Sequence, residues 1–459
     1  MAARYQMALS LGFHIVLSCF GVAFPALIYL AHRRGLSGDP DALLLARRWS
    51  KVSAVLFAVG AVSGTVLSFE MGLLWPGLMS KYGDVIGLPF ALEGIAFFVE
   101  AIFLGIYLYG WDRLPPKLHL RTLYPMMFTG LFGTFCVVAV NAWMNAPGGF
   151  RLQDGDVIDV DPLAAMFNRA LWPQFLHMWV GAYMVVGFLV AAVYASGMLR
   201  GRRDSLHRRG MSIALAVATI AAVVQPFIGH VAGMRLATQQ PAKLAAMELA
   251  VETEDHAPVV VGGILIDGKV RYGIEIPWVG SLLARGAFDR QVIGLDQIAD
   301  DAEPPANVVH FSFQIMVGIG TALMALGVGI AFFGRRWRKR GRDVFQSRRV
   351  LMALVAAGPL AVIALEAGWT TTEVGRQPWI VHDVLRVRDA LTPNGGVWIS
   401  FTVIAMVYLV LGATTGVVLR SMSLRWRQGD VELATPYGPP DDHRHTDPRN
   451  AATTTEQST

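Results

Sequence analysis

The segment ALEGIAFFVEAIFLG, residues 91–105, keeps two carboxylates, Glu93 and Glu100, in an otherwise apolar run. Seven residues are close to two helical turns, so both acids share one face of a helix, roughly 10.5 Å apart along its axis. A charge facing lipid at mid-membrane costs about 3 kcal/mol or more, so that face must look into protein or water. Two chemistries suit the pair: a relay that exchanges protons, or a pair of protonated, hydrogen-bonded carboxyls bracing two helices. His14, His177, Met316 and Glu373 also fall in or beside apolar runs. His and Met are the axial pair of a low-spin haem that only transfers electrons, and a further His and a Glu suit five-coordinate haems with one side open to a gas. Taken singly, each has a plainer reading. A lone intramembrane His hydrogen-bonds a neighbouring helix, a Met fills core, and Glu373 can pair with Arg376 one turn away. No HExxH zinc motif occurs in the chain.

These residues need a membrane scaffold to position them. The 459-residue chain is 54% hydrophobic and 16% charged, with mean hydropathy +0.46, whereas a soluble protein is about 25% charged. Nine apolar runs, about 9–31, 50–72, 88–110, 122–145, 174–198, 211–231, 308–334, 349–369 and 397–421, are each long enough to cross a hydrocarbon core of roughly 30 Å. They predict an all-α bundle of transmembrane helices, because lipid offers backbone groups no other partner. No N-terminal signal peptide is recognisable. Cys19 and Cys136 lie in apolar runs, form no disulfide framework and belong to no CxxCH.

Arginine and lysine concentrate in alternate connections: Arg33 to Lys51, Arg113 to Arg121, Arg200 to Arg209, RRWRKRGR at 335–342, and Arg420 to Arg427. The positive-inside rule places these regions in the cytoplasm, the N-terminus outside and the C-terminus inside. The formal charge of +5 is thus a topology signal and does not point to nucleic acid. The expected divisions are helices 1–6 over residues 1–231, an outer loop over 232–307, helices 7–9 over 308–428 and a polar, disordered cytoplasmic tail over 429–459. The loop carries KLAAMELAVETED and two turn signals, LIDGK and ARGAF.

With this topology His14, Glu93, His177, Met316 and Glu373, from five segments, all fall in the outer half of the bilayer. Scattered accidents would occupy both halves. Glu100 lies deeper and is the candidate to receive protons from the cytoplasm, with Lys51 and Asn141 expected along the lower part of the route. Glu93 lies nearer the candidate ligands.

The stretches RYQMALSLGFH (4–14), ALEGIAFFVEAIFLGIYLYGWDRL (91–114), NAWMNAPGG (141–149), FLHMWVGAY (175–183), QPAKLAAMELAVET (240–253), FSFQIMVGIG (311–320) and EVGRQPW (373–379) resemble subunit I of the cytochrome bd-type quinol oxidases, including the short-loop, cyanide-insensitive branch. The resemblance reaches from the N-terminus to residue 421. It implies three haems near the outer face and a quinol site in the outer loop. His177 and Met316 would ligate a low-spin haem b. His14 and Glu373 would ligate the two high-spin haems, one a haem b and the other a haem d or a further haem b, with Trp369 and Arg376 in the haem-binding set. Glu93 would sit beside the high-spin pair, and Lys243 and Glu248 would serve quinol oxidation.

The resemblance further implies ubiquinol or menaquinol and O2 as substrates. It also implies a second polytopic subunit as partner, with small single-span subunits, in the lipid of a bacterial cytoplasmic (inner) membrane. One departure stands out: the family usually has Arg two residues before the ligating Met, and this chain has Gln314. Loss of that cation predicts a shifted low-spin haem potential. The function expected is electrogenic oxidation of quinol by O2. A proton-coupled transporter is disfavoured by the lack of internal repeats, and a haem-based sensor would bind haem without quinol turnover.

Overall fold

The computed structural model describes residues 1–428. The expected disordered tail, 429–459, lies outside the described residues. Three long helices come first: α1 (Ala2–Leu36), α2 (Pro40–Leu74) and α3 (Pro76–Tyr109). A short α4 (Pro116–Arg121) leads into α5 (Leu123–Asn145). Strands β1 (Arg151–Gln153) and β2 (Asp156–Ile158) and a short α6 (Pro162–Met166) precede α7 (Leu171–Leu199) and α8 (Ser205–Gln239). The long connection holds α9 (Pro241–Glu248), β3 (Val259–Ile266), β4 (Lys269–Ile276) and α10 (Val279–Arg285). Then follow α11 (Ala306–Arg338), α12 (Arg348–Val374), β5 (Trp379–Val381), β6 (Leu385–Arg386), α13 (Val387–Ala390) and α14 (Val397–Arg427). Among the described residues nine helical segments are long and apolar enough to cross a membrane, as the sequence predicts.

The helices outrun their apolar runs because polar caps lie beyond the greasy stretch. Asp39 accepts from the Ala42 amide ahead of Pro40, and Asp204 accepts from the His207 amide, each meeting an otherwise unpaired donor of the first turn. At its other end α8 continues to Gln239, past the expected limit at 231. Pro25, Pro89, Pro226 and Pro359 sit inside helices, as transmembrane helices tolerate. In the long connection LIDGK forms the β3–β4 turn, with Asp267 and Gly268 at positive φ as a two-residue hairpin requires. ARGAF instead supplies Gly286, the left-handed residue that ends α10.

The chain forms two compact units, Met1–Tyr408 and Leu409 onward, the second continuing α14. Within the first, α1 packs on α2, α5 and α7, α7 packs on α8 and α12, α3 packs on α5, and α11 packs on α12. Phe24, Leu27, Trp49, Phe188 and Met211 fill the main core, and Trp49 Nε1 donates to Tyr194 OH at 2.8 Å. With lipid as the alternative to burial, such packing rests on shape and close approach. Small residues provide that approach at Gly130, where a Cβ would lie 3.0 Å from the Gly21 carbonyl oxygen. The connections α2–α3, α5–α7, α8–α11 and α12–α14 lie at one end of the bundle, here the loop end; the arginine-rich connections form the basic end.

Candidate functional site: one cavity lined by histidine, methionine and acid side chains

A cavity of about 930 Å³ runs through the first unit. His14, Glu93, Glu100, His177, Met316 and Trp369 line it, as do Lys243 and Glu248. Eight of the candidate ligand, haem-binding, acid and quinol-site residues therefore meet in one space. Glu373 and Arg376 are not on its lining but are tied to it through Asn141, which is.

His14 is held by a neighbour that fixes its chemistry. Ser63 Oγ donates to the Gly60 carbonyl (3.0 Å) and lies 2.9 Å from His14 Nδ1. With its one hydrogen spent on Gly60, the hydroxyl accepts from Nδ1–H, which leaves Nε2 with a free lone pair, the form an iron ligand needs. A Cβ at Gly64 would lie 3.1 Å from His14 Cε1, so Gly64 keeps space beside the ring. His177 has a buried Nδ1 without a hydrogen-bond partner among the described residues. Gly229 leaves its ring room, since a Cβ there would lie 3.3 Å from Cε1, and Gln225 Nε2 holds the His177 carbonyl at 3.0 Å. A Cβ at Gly368 would lie 2.7 Å from Met316 Sδ, so the glycine lets α12 pass the thioether where it now sits.

Glu373, in the last turn of α12, accepts from Asn141 Nδ2 (2.6 Å) through Oε1 and from Arg376 Nη2 (2.5 Å) through Oε2. Each oxygen keeps a second lone-pair direction. Arg376 is buried, and its Nε and Nη1 have no partner among the described residues. A buried guanidinium with two open donors suits a carboxylate such as a haem propionate. The same region settles Asn141. Expected in the lower part of a proton route, it lies instead at the loop end, because α5 runs from the basic end and Asn141 is in its last turns.

Asn141 also belongs to a chain of bonds that the sequence did not reveal. Lys243 Nζ donates to Asn145 Oδ1 (2.7 Å), Gln240 Nε2 donates to the Asn145 carbonyl (2.7 Å), and Asn145 Nδ2 donates to the Asn141 carbonyl (2.8 Å). Lys243 is thereby linked to Glu373. Burial pushes the Lys243 ammonium down to about 7, Arg376 adds repulsion, and Glu373 opposes both. Burial likewise pushes Glu248 up to about 7, and its Oε2 has no partner among the described residues.

On α3, Glu93 and Glu100 share a face as their spacing predicts, and both line the cavity. A Cβ at Gly21 or Gly130 would lie 3.5 Å from Glu100 Oε1, so this acid sits beside the close approach of α1 and α5 at these glycines. Two further membrane acids went unremarked in the sequence. Glu70 Oε1 accepts from Gln6 Nε2 at 2.8 Å, and Glu366 Oε2 would lie 3.4 Å from a Cβ at Gly12. The rule that exposed Glu93 and Glu100, an acid in an apolar helix, would have found both. Among the described residues no group of three or more His, Cys, Asp or Glu could cage a bare metal ion; single ligands on separate helices suit a flat macrocycle that fills the rest of the coordination plane.

The family described as "Cytochrome bd terminal oxidase subunit I" matches residues 2–425. The chain belongs to that family. A solved bd oxidase from Geobacillus thermodenitrificans is 37% identical, covers 92% of this chain and 98% of its own, and superposes with a TM-score of 0.87. A Bacillus subtilis (strain 168) chain named "Putative cytochrome bd menaquinol oxidase subunit I" is 36% identical, covering 91% of this chain and 95% of its own. A second from that strain, "Cytochrome bd ubiquinol oxidase subunit 1", is 30% identical and covers 90% of each. As a bd oxidase subunit I, the chain is part of an oxidoreductase, and neither a transporter nor a sensor describes it. Its helical, multi-pass bundle is the architecture of the solved family member.

Proposed function

We propose that this chain is the haem-bearing subunit of an electrogenic quinol oxidase. It oxidises ubiquinol or menaquinol at the loop end, and the electrons reduce O2 to water with protons drawn from the basic end. The arginine-rich connections support a cytoplasmic basic end in a bacterial inner membrane. A second polytopic subunit completes the enzyme, with small single-span subunits beside it. The observation that carries this reading is the single cavity in which ligand-type side chains, two membrane acids and Glu248 meet.

His177 and Met316 would hold a haem b that would supply one-electron transfer, and His14 and Glu373 would hold a further haem b and a haem d or third haem b that would supply oxygen reduction. The remaining chemistry belongs to this chain. His14 presents Nε2 because Ser63 holds Nδ1–H. Arg376 offers two open donors. Trp369 walls the cavity beside Gly368. A quinol losing two electrons also loses two protons, and Glu248 takes one as general base through its unpartnered Oε2. Lys243 has three N–H groups; one is used on Asn145, which leaves donors for a quinol oxygen. Glu100 and Glu93 carry protons toward the oxygen site.

The test is oxygen consumption by the purified oxidase. Glu248→Gln is expected to lose most quinol-driven turnover and to keep the rate driven by an artificial reductant that feeds the haems directly. Equal losses with both donors would place Glu248 outside the quinol step.

A further inference from the structure

Three polar side chains on the first turns of α11, Asn307, His310 and Gln314, follow the i, i+3, i+7 spacing of one helix face. All three bond the backbone of β3. Asn307 Oδ1 accepts from the Leu265 amide (2.7 Å) and its Nδ2 donates to the Leu265 carbonyl (2.9 Å). His310 Nε2 donates to the Gly262 carbonyl (2.7 Å), and Gln314 Nε2 donates to the Val260 carbonyl (3.0 Å). β3 kinks at Gly262 and Gly263, which have φ of +66 and +86, and the ladder to β4 skips a pair there. Gln314, where the family usually has Arg, is thus used on this hairpin.

His310 is fully buried and reaches a second element. Its Nδ1 donates to the Met247 carbonyl at 2.7 Å. Met247 lies in the last turn of α9, whose carbonyls have no partner within the helix and form the negative end of its dipole. Glu248 is the next residue, and Leu249 then turns left-handed at φ 50, a costly conformation for a leucine. Both acceptors on His310 are carbonyl oxygens, which cannot donate. Each bond therefore uses a hydrogen on the ring nitrogen that makes it. Ala245, Ala246 and Met247 pack against Ala306 and Val309 of α11, and the same helix carries Met316 two residues after Gln314.

We propose that His310 is a positioning residue for quinol oxidation: by donating from both ring nitrogens it clamps the end of α9 to the β3 hairpin and fixes Glu248 in the cavity relative to Met316. Asn307 and Gln314 hold the hairpin as its backing. The clamp rests on the reading of Glu248 as proton acceptor for its effect on turnover but not for its effect on structure. In the purified oxidase, His310→Phe keeps a flat ring and loses both donors, whereas His310→Gln offers an amide with two hydrogens. His310→Phe is expected to raise the KM for quinol by about tenfold, the scale of losing two hydrogen bonds. It should also speed amide exchange over both 241–249 and 259–276, while the low-spin haem spectrum and the artificial-reductant rate stay at wild type. His310→Gln should recover part of each. Asn307→Leu should speed exchange at 259–266 and spare 241–249, which keeps the clamp testable if His310→Phe does not assemble. Wild-type KM and exchange in His310→Phe, or an equal loss with the artificial reductant, or an Asn307→Leu oxidase with unaltered exchange, would overturn it. Exchange is read without quinol, so it judges the clamp, and turnover of Glu248→Gln judges the acceptor separately.

Discussion

His14 shows how far a ligand's chemistry depends on the side chain behind it. Its position in an apolar run marked it as a candidate, but the lone pair it can offer is set by Ser63, forty-nine residues away. No spacing rule connects the two, because the bond forms across α1 and α2. Ser63→Ala is expected to weaken haem retention at His14 by about 10–100-fold, the usual effect of losing the partner that orients a metal ligand, read as high-spin haem content after detergent washing. Met316→Leu nearly preserves volume. It should leave the fold intact and convert the low-spin haem to high-spin, read in the absorption spectrum. Glu248 gives a pH prediction. Burial lifts it to about 7, and a general base acts when deprotonated, so quinol-driven turnover should rise as pH climbs through about 7 and fall below it. Glu248→Gln should flatten that limb of the profile. Lys243, buried and lowered to about 7, loses its charge over the same range, so Lys243→Gln in parallel separates the two groups.

At the scale of elements, the helices were legible because a transmembrane helix is written in about twenty consecutive residues. Their ends were less so: caps such as Asp39 and Asp204 lie in polar sequence that hydropathy ignores. Asn141 was misplaced because depth depends on helix direction as well as on membership of a run. The seven-residue spacing that puts Glu93 and Glu100 on one face of α3 extends further. Tyr107 is seven residues beyond Glu100, and its hydroxyl lies 2.9 Å from His32 Nδ1. Cavity-lining residues on α3 stop at Glu100, and Leu104 and Tyr107 are packed with Phe24, Leu27 and Met126. The proposed proton route to Glu100 from the basic end would therefore have to cross this packed apolar layer or enter from the side. Glu100→Gln keeps size and hydrogen bonding but cannot cycle a proton. It should slow oxygen reduction and charge translocation in liposomes with haem content intact. If the acid were only a brace, Glu100→Gln would be normal and Glu100→Leu would cost stability, by about 1–3 kcal/mol. Gly130→Leu should disturb the same site by overpacking α1 on α5, at about 1–3 kcal/mol, read as a lower melting temperature of the purified complex.

At the scale of the molecule, the fold makes one cavity of parts from most of the chain. The sequence exposed its rare residues, since His and Glu are conspicuous in apolar runs. It hid the glycines at 64, 229 and 368 that make room beside His14, His177 and Met316, because a glycine in a membrane helix has many uses. The amide chain from Lys243 through Asn145 and Asn141 to Glu373 was hidden as well, since its members come from three separate segments. A low-spin haem held in this cavity by His177 and Met316, as proposed, would carry its own spectral signature. The most direct test is the reduced-minus-oxidised absorption spectrum of the purified oxidase, wild type beside His177→Ala. The account predicts a low-spin haem b band in the wild type that disappears in His177→Ala while the high-spin haem signals remain. A wild-type enzyme without that band, or a His177→Ala enzyme that keeps it unchanged, would contradict the account.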